Sequence, residues 1–123
     1  MKRTSLDKMS AADLVERFGQ IVVAQDEALL GGETTKFKRL YGQMMGVVDE
    51  LKSREGDQRV ELLKLFHYPN MQVRLQAARL TMAVAPVEAR AQLEAIAASK
   101  WFPQAGDAGM SLWNLDNGVF KPT

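Results

Sequence analysis

The side chains able to do chemistry are few in this chain, and their spacing does not suit catalysis. His67 is the single histidine of 123 residues, and cysteine is absent. A metal site would need carboxylates at helical spacing from His67, and no Asp or Glu occupies those positions. The lack of cysteine excludes a thiolate nucleophile, a disulfide framework and Cys-based metal sites. We interpret His67 as a structural residue near a helix end, where imidazole interacts favourably with terminal carbonyls; the alternative is a functional role.

The hydroxyl and carboxylate side chains give no stronger signal. None of the five serines lies in a G-x-S-x-G or S-x-x-K motif. Neighbouring acids such as Asp26 and Glu27 do not face each other on a helix, so we interpret them as solvated surface. The glycines of "GDAGMSLWNLDNG" do not have the order of a phosphate-binding loop. We predict no catalytic, cofactor-binding or metal-binding residue; a minor alternative is an enzyme that uses Asp107 or Asp116 near Trp113.

Overall charge and composition indicate a small globular protein. The net charge is +1, which gives no global reason to expect nucleic acid or an anionic membrane as a partner. The charged N-terminal segment has no apolar stretch of the kind found in signal peptides. No apolar run approaches the roughly 18 residues that span a bilayer. We therefore expect one cytoplasmic domain over residues 1–123, without a membrane partner.

Hydrophobic periodicity predicts about six helices and no sheet. The first helix covers about 10–30, with a capping box at Ser10, and ends at Gly31-Gly32. The second begins at Thr34 or Thr35 as its cap and ends near Arg54, so the first two should form a long hairpin. The other four are marked by caps and breakers: Asp57 to Tyr68, Asn70 to Val84, Pro86 to about Ala98, and Gln104 or Asp107 to Asp116. The tail after Asn117-Gly118 docks through Val119 and Phe120 or frays.

The fourth predicted helix is apolar on two sides and should be central in the fold. We expect Leu80 to lie in the core and Gln76 on an open surface. Arg74 stands in the first turn, where the helix dipole disfavours a cation, so a carboxylate from a neighbouring unit should compensate it.

Two segments of the chain have the same organisation, roughly 31–34 residues apart, which is the period range of helical solenoids. "LLKLFHYPNMQVRLQAARL" and "LEAIAASKWFPQAGDAGMSL" each contain an aliphatic helix, an aromatic-proline corner and a second helix with small residues. "HYPNMQVRLQAARL" resembles the corner and second helix of a HEAT repeat; in the second segment, Gly106 or Asp107 stands where the arginine would be. The whole chain resembles a small bacterial family of HEAT-like single-domain proteins of unknown function. The resemblance implies an all-α superhelix, with two helix pairs after the hairpin, and no activity.

Charge is unevenly distributed between the first two helices. Residues 10–33 carry five acids and one arginine, net −4, and residues 36–54 carry five basic and two acidic side chains, net +3. We expect the two helices to neutralise each other partly; the alternative is a basic surface that binds nucleic-acid phosphates through Lys36, Lys38, Arg39, Lys52 and Arg54.

Three further features have two interpretations each. Gly42 and Gly46 share one face of the second helix, where we expect close packing inside the domain; the alternative is a flat patch for a partner. Four methionines lie on predicted core stripes, at positions 44, 71, 82 and 110, whereas Met45 does not. For Trp101 and Phe102 we expect a hydrophobic plug, and the alternative is an exposed anchor for a partner.

These observations favour a non-enzymatic protein-interaction module, with a regulatory or toxin-neutralising role that fits its size. In helical solenoids the second helices of the repeats line one face. The candidate contact residues are therefore Lys36, Arg39, Gln43, Met45, Gln72, Gln76 and Arg79. The partner is expected to be another protein. The sequence identifies neither that protein nor the oligomeric state. Nucleic-acid binding is the alternative function.

Overall fold

The computed structural model describes residues 5–123, and these are helical with no strand among them. Five α-helices and one ten-residue 3₁₀ helix make up the fold, and a single 3₁₀ turn, Leu6–Lys8, precedes them. The α-helices are α1 (Ala11–Leu30), α2 (Thr34–Ser53), α3 (Met71–Leu80), α4 (Pro86–Ala98) and α5 (Gln104–Asp116); the 3₁₀ helix is Gln58–His67. The predicted all-α class with about six helices is confirmed.

The chain forms two compact units, which meet in sequence between Glu61 and Leu62. The first unit contains the predicted hairpin of α1 and α2, which pack against each other. The Ser10 hydroxyl accepts a hydrogen bond from the Asp13 N–H at 3.0 Å, as the capping prediction required. Gly32 has φ +69°, the left-handed conformation that lets the chain reverse after α1. The predicted threonine cap of α2 is wrong: Glu33 occupies the cap position and Thr34 is already helical.

The core of the first unit lies along the facing sides of α1 and α2. It includes one amide, Gln25, whose side chain is fully buried. The Gln25 Nε2 group donates to the Met44 sulfur at 3.3 Å across the hairpin, which lowers the cost of burying the amide. The apolar side chains that are fully buried in this unit are Leu14, Phe18, Val22, Ala28, Met44, Val47 and Leu51.

The third predicted helix is a 3₁₀ helix rather than an α-helix. Leu62 and Leu65 are buried three residues apart, and three residues is the period of a 3₁₀ helix. Just before it, Asp57 adopts φ +50° and accepts a hydrogen bond from the Arg59 N–H at 3.3 Å. Asp57 therefore orders the start of this helix, in the role predicted for it.

In the second unit, α3 begins at the predicted cap. The Asn70 Oδ1 atom accepts from the Val73 N–H at 3.2 Å. The expected partner for Arg74 is wrong: its Nε group donates to the backbone carbonyl of Tyr68, directly before Pro69. A carbonyl at the end of the preceding helix carries partial negative charge, so it replaces the carboxylate that we expected.

Helix α3 ends four residues earlier than predicted. The Thr81 hydroxyl donates to the Ala77 carbonyl at 2.8 Å, which satisfies an acceptor of the last turn, and residues 81–84 form a turn. The predicted burial of Leu80 and exposure of Gln76 are also wrong. Leu80 is only half-buried, whereas Gln76 is 2% exposed. The helix is buried on nearly all sides, as the prediction of a central helix implied.

Helices α4 and α5 complete the second unit by packing on each other, and α4 also packs on α3. Pro86 occupies the first turn of α4, as predicted. The shared core of the three helices consists of Leu75, Ala78, Met82, Ala89, Leu93, Ile96 and Ala108. After α5, Gly118 has φ +71° and the backbone N–H groups of Val119 and Phe120 donate to the Asn114 carbonyl at 2.8 and 3.1 Å. The tail is thus docked through its backbone, while both side chains are exposed.

Candidate protein-interaction surface

The predicted contact residues of α2 are accessible. Lys36, Arg39 and Gln43 are exposed, and helical spacing places all three on one side of the helix. Met45 is half-buried. Lys36, Arg39 and Gln43 therefore form a polar surface on one side of α2, and Met45 is not an open part of it.

The predicted contact residues of α3 do not belong to an open surface, and this part of the prediction is corrected. Gln72 and Gln76 are 3% and 2% exposed. The Gln72 Oε1 atom accepts from the Gln104 Nε2 group at 2.9 Å, and Gln76 Oε1 accepts from Arg79 Nη1 at 3.0 Å. A hydrogen-bonded amide can be buried at little cost, which polarity alone does not predict. Arg79 is half-buried.

The two glycines of α2 do not serve close packing inside the hairpin. A Cβ atom at Gly42 would meet nothing within 4 Å, so the internal-packing interpretation is wrong there. A Cβ atom at Gly46 would make an ordinary contact with Leu6 Cδ1 at 3.9 Å. Near the N-terminus of α2, a shallow depression of about 670 Å³ is lined by Glu33, Lys36 and Arg39 together with Gly32, Thr34 and Thr35. The depression thus carries both signs of charge.

One of the five candidate phosphate-binding residues is already engaged. Arg54 donates to a Glu50 carboxylate oxygen at 2.9 Å and to the backbone carbonyls of Leu6 and Met9 at 3.1 and 2.6 Å. Its guanidinium therefore ties α2 to the segment before α1. The other four, Lys36, Lys38, Arg39 and Lys52, are exposed.

The largest exposed apolar side chains of the second unit lie at or beside α5. Phe102 is 70% exposed, Met110 59% and Trp113 57%. Trp101, at 63%, is exposed as well, so the expected hydrophobic plug is wrong, and so is the core position expected for Met110. We call the set Phe102, Gly106, Gly109, Met110 and Trp113 the α5 stripe. Three- and four-residue spacings place the last four along one side of α5, and the Phe102 ring lies beside Gly106.

The α5 stripe is open at its centre. A Cβ atom at Gly109 would meet nothing within 4 Å, and one at Gly106 would contact only the ring of Phe102, at 3.8 Å. A depression of about 360 Å³ lies over Gly109, Met110 and Trp113. The stripe therefore has large side chains near both ends and exposed backbone between them.

Two carboxylates flank the stripe. Asp107 is exposed on one edge. On the other, Asp116 accepts two hydrogen bonds from Arg90 of α4, at 2.9 and 3.1 Å. The hydrogen bond from Arg90 holds the pKa of Asp116 below its usual value, and the same bond raises the pKa of Arg90. Asp116 thus remains ionised and tied to α4.

Comparison with known proteins places this chain in a family. The model of a family described as a domain of unknown function (DUF2019) matches residues 12–116, from the first turn of α1 to the last residue of α5. The chain belongs to this family. It is similar to the protein RPA1889 from Rhodopseudomonas palustris CGA009, whose crystal structure matches with a TM-score of 0.94 and 62% sequence identity over 98% of this chain and 100% of that chain. No curated protein matches the chain.

The α5 stripe of this DUF2019 domain was missed at the sequence level because α5 has two apolar sides. Ala105 and Ala108 are buried, while Met110 and Trp113 are exposed. A helix with apolar residues all round is expected to be buried, which is why a core position was expected for Met110. The useful signal is the lack of a charged side: between Asp107 and Asp116, α5 carries no other ionisable side chain.

Residues 5–123, which the structure describes, contain no group of three or more His, Asp or Glu side chains that could hold a metal ion. His67 is exposed at the end of the 3₁₀ helix. Within the same residues, every helix is too short or too polar to cross a lipid bilayer.

Proposed function

We propose that this protein is a non-enzymatic protein-interaction module and that the α5 stripe is its binding surface. The observation that carries the proposal is the exposure, each by more than half, of Met110 and Trp113 on one side of α5 and of Phe102 just before it. With typical side-chain areas, these three expose on the order of 400 Å² of apolar surface. Contiguous apolar patches of several hundred Å² on small soluble proteins commonly mark interaction sites, and exposed aromatic residues are common binding hot spots.

The architecture that presents the stripe is proposed to be a HEAT-like repeat domain over residues 1–123. Support comes from the order of packing in the second unit, where α3 packs on α4 and α4 on α5, as successive helices do in a solenoid. The corner at Pro69 and the cap at Asn70 fit the HEAT resemblance. A cytoplasmic, bacterial protein with a regulatory or toxin-neutralising role is the corresponding biological proposal.

The proposal predicts that one charge within the stripe abolishes partner capture. Tagged wild-type protein should retain a specific protein from a lysate of its source organism, identified by mass spectrometry, and Met110→Glu should lose it because a carboxylate would be buried without a partner. Val87→Glu is the matched control: Val87 is 77% exposed and lies at the start of α4, outside the stripe. Equal capture by both variants would count against the α5 stripe, and a captured species that disappears after nuclease treatment would favour nucleic acid.

Nucleic-acid binding is the alternative, and the exposure of Lys36, Lys38 and Arg39 at the start of α2 is the observation in its favour. Against it, Arg54 is held by backbone carbonyls, and the Glu33 carboxylate shares the nearby depression. We therefore predict negligible affinity for DNA at physiological ionic strength.

The check is fluorescence anisotropy of labelled duplex and single-stranded DNA at low and physiological salt, with a Lys36→Ala/Lys38→Ala/Arg39→Ala triple variant. Phosphate contacts give an affinity that falls steeply with salt, because counterions are released. Sub-micromolar binding that persists at physiological salt and disappears in the triple variant would replace protein binding by nucleic-acid binding as the proposed function.

A further inference from the structure

We propose that the occupant of the α5 stripe is a second copy of this chain, packed with its α5 antiparallel about a two-fold axis. The inference depends on the proposed function, because it names the partner of the same surface. It is carried by the internal symmetry of the stripe, by the exposed area and by the place of α5 at the end of the helical stack.

Apart from Met110, the stripe has the same order of residues in both directions. Phe102 lies four residues before Gly106, and Trp113 lies four residues after Gly109. The Ala105 N–H donates to the Trp101 carbonyl at 2.8 Å, and the Phe102 ring lies 3.8 Å from a Cβ built on Gly106, so the segment before α5 folds against its first turn. An antiparallel copy centred between residues 107 and 108 therefore places Gly106 opposite Gly109 of the second copy, with the Phe102 ring at the end where Trp113 of the second copy lies. A two-fold interface requires a surface that is complementary to itself in this way.

The glycines let the two helices approach closely. Beyond the backbone of α5 itself and the two adjoining residues, nothing in residues 5–123 lies within 4 Å of a Cβ built on Gly109, and only the Phe102 ring lies near one on Gly106. Glycine is disfavoured in helix interiors, so Gly109, in the second turn of α5, needs an explanation outside the chain. Close contact between backbones across the two-fold axis provides it and brings the Met110 side chains of both copies beside the facing helix.

The exposed apolar area supplies about half of one partner's share of a standard dimer interface. The large side chains of the stripe contribute on the order of 400 Å² on each copy. A standard interface buries about 800 Å² on each partner, and the polar rim supplies part of that area. A helical stack also normally ends in a helix with a polar outer face, which α5 lacks. Two-fold pairing covers this face and closes the assembly at two copies.

Asp107 gives the proposed interface a characteristic electrostatic response. It is exposed at the edge of the stripe, within one residue of the proposed centre, so the Asp107 carboxylates of the two copies lie on the same side of the interface and repel each other. Asp107→Asn should therefore strengthen dimerisation, and so should added salt. With a basic partner helix both effects would be reversed. Asp107→Asn and added salt would each weaken binding, because each would reduce an electrostatic attraction.

The first test is analytical ultracentrifugation of the full chain over a range of micromolar concentrations. Wild type and Val87→Glu should form dimers with equal affinity, Asp107→Asn should dimerise more tightly, and Met110→Glu should dimerise about a hundredfold more weakly, as expected for like charges brought together in an interface. Circular dichroism of each variant checks folding. A wild-type protein that is monomeric at every concentration, or a dimer that Met110→Glu leaves intact, would overturn self-pairing.

The second test checks the orientation by disulfide formation, which is unambiguous in a chain without cysteine. Gly109→Cys lies near the two-fold axis and should cross-link to its counterpart under mild oxidation. Phe102→Cys should not, because antiparallel packing places the two copies of this position at opposite ends of the paired helices, beyond disulfide reach. Cross-linking at both positions would indicate parallel packing, and cross-linking at Phe102→Cys alone would indicate another arrangement; either result would overturn the proposed one. If the chain is monomeric, and the wild type captures a different protein that Met110→Glu does not capture, self-pairing fails while the proposed function stands.

Discussion

Leu75→Ala should lower the free energy of unfolding by about 2–5 kcal/mol, the range for removing a large aliphatic side chain from a packed core. Leu75 is 1% exposed and belongs to the core shared by α3, α4 and α5. The deletion leaves a cavity among Met82, Leu93 and other core side chains that can collapse only partly. Urea denaturation followed by circular dichroism measures the loss, and an unchanged m-value would show that the unfolding transition remains comparable.

Leu80→Ala is the matched control, because it removes the same atoms from the same helix. Leu80 is half-buried and lies outside the shared core, so its loss should cost about 1 kcal/mol. This ordering is the main consequence of the corrected faces of α3. If Leu80→Ala proved as costly as Leu75→Ala, the burial pattern of α3 described above would be wrong.

The positions of the helices could be predicted because the signals that fix them are local. Ser10 and Asn70 each cap a helix through a hydrogen bond to a backbone N–H three residues on. Gly32 supplies the left-handed turn after α1, and Pro86 suits the first turn of α4. Each of these effects involves residues that are close in sequence, so none depends on how the helices pack.

The faces of the helices could not be predicted where packing decides them. Gln72 is buried because Gln104, 32 residues away in the sequence, supplies a hydrogen bond. Met110 and Trp113 are exposed because Ala105 and Ala108, on the other side of α5, take the inner positions. Polarity and period give two possible inner sides for such a helix, and only the neighbouring helices select one. The candidate site was missed for this reason, whereas the polar face of α2 was found because its exposed residues are also its polar ones.

Asp57→Ala should destabilise the protein by about 2 kcal/mol, because it removes charge-assisted hydrogen bonds and leaves alanine in a left-handed backbone conformation. The Asp57 carboxylate accepts from Nε and Nη2 of Arg59 at 2.8 and 2.6 Å, and Arg59 is 8% exposed. Asp57→Asn separates the two effects, since asparagine tolerates the φ of +50° found here but carries no charge. We expect Asp57→Asn to be the less destabilising of the two variants in urea melts at neutral pH.

The pH dependence of the same variant identifies the charge as the source of stability. The hydrogen bond from the Arg59 side chain lowers the pKa of Asp57 from its ordinary value of 3.8. The unfolded chain therefore takes up a proton at this carboxyl before the folded chain does, so the contribution of Asp57 is complete above that ordinary value and is lost as the pH falls below it. The difference in unfolding free energy between wild type and Asp57→Asn should be constant from neutral pH down to about pH 5 and should shrink on further acidification. A difference that stays constant or grows below pH 4 would show that the charge of Asp57 does not stabilise this turn.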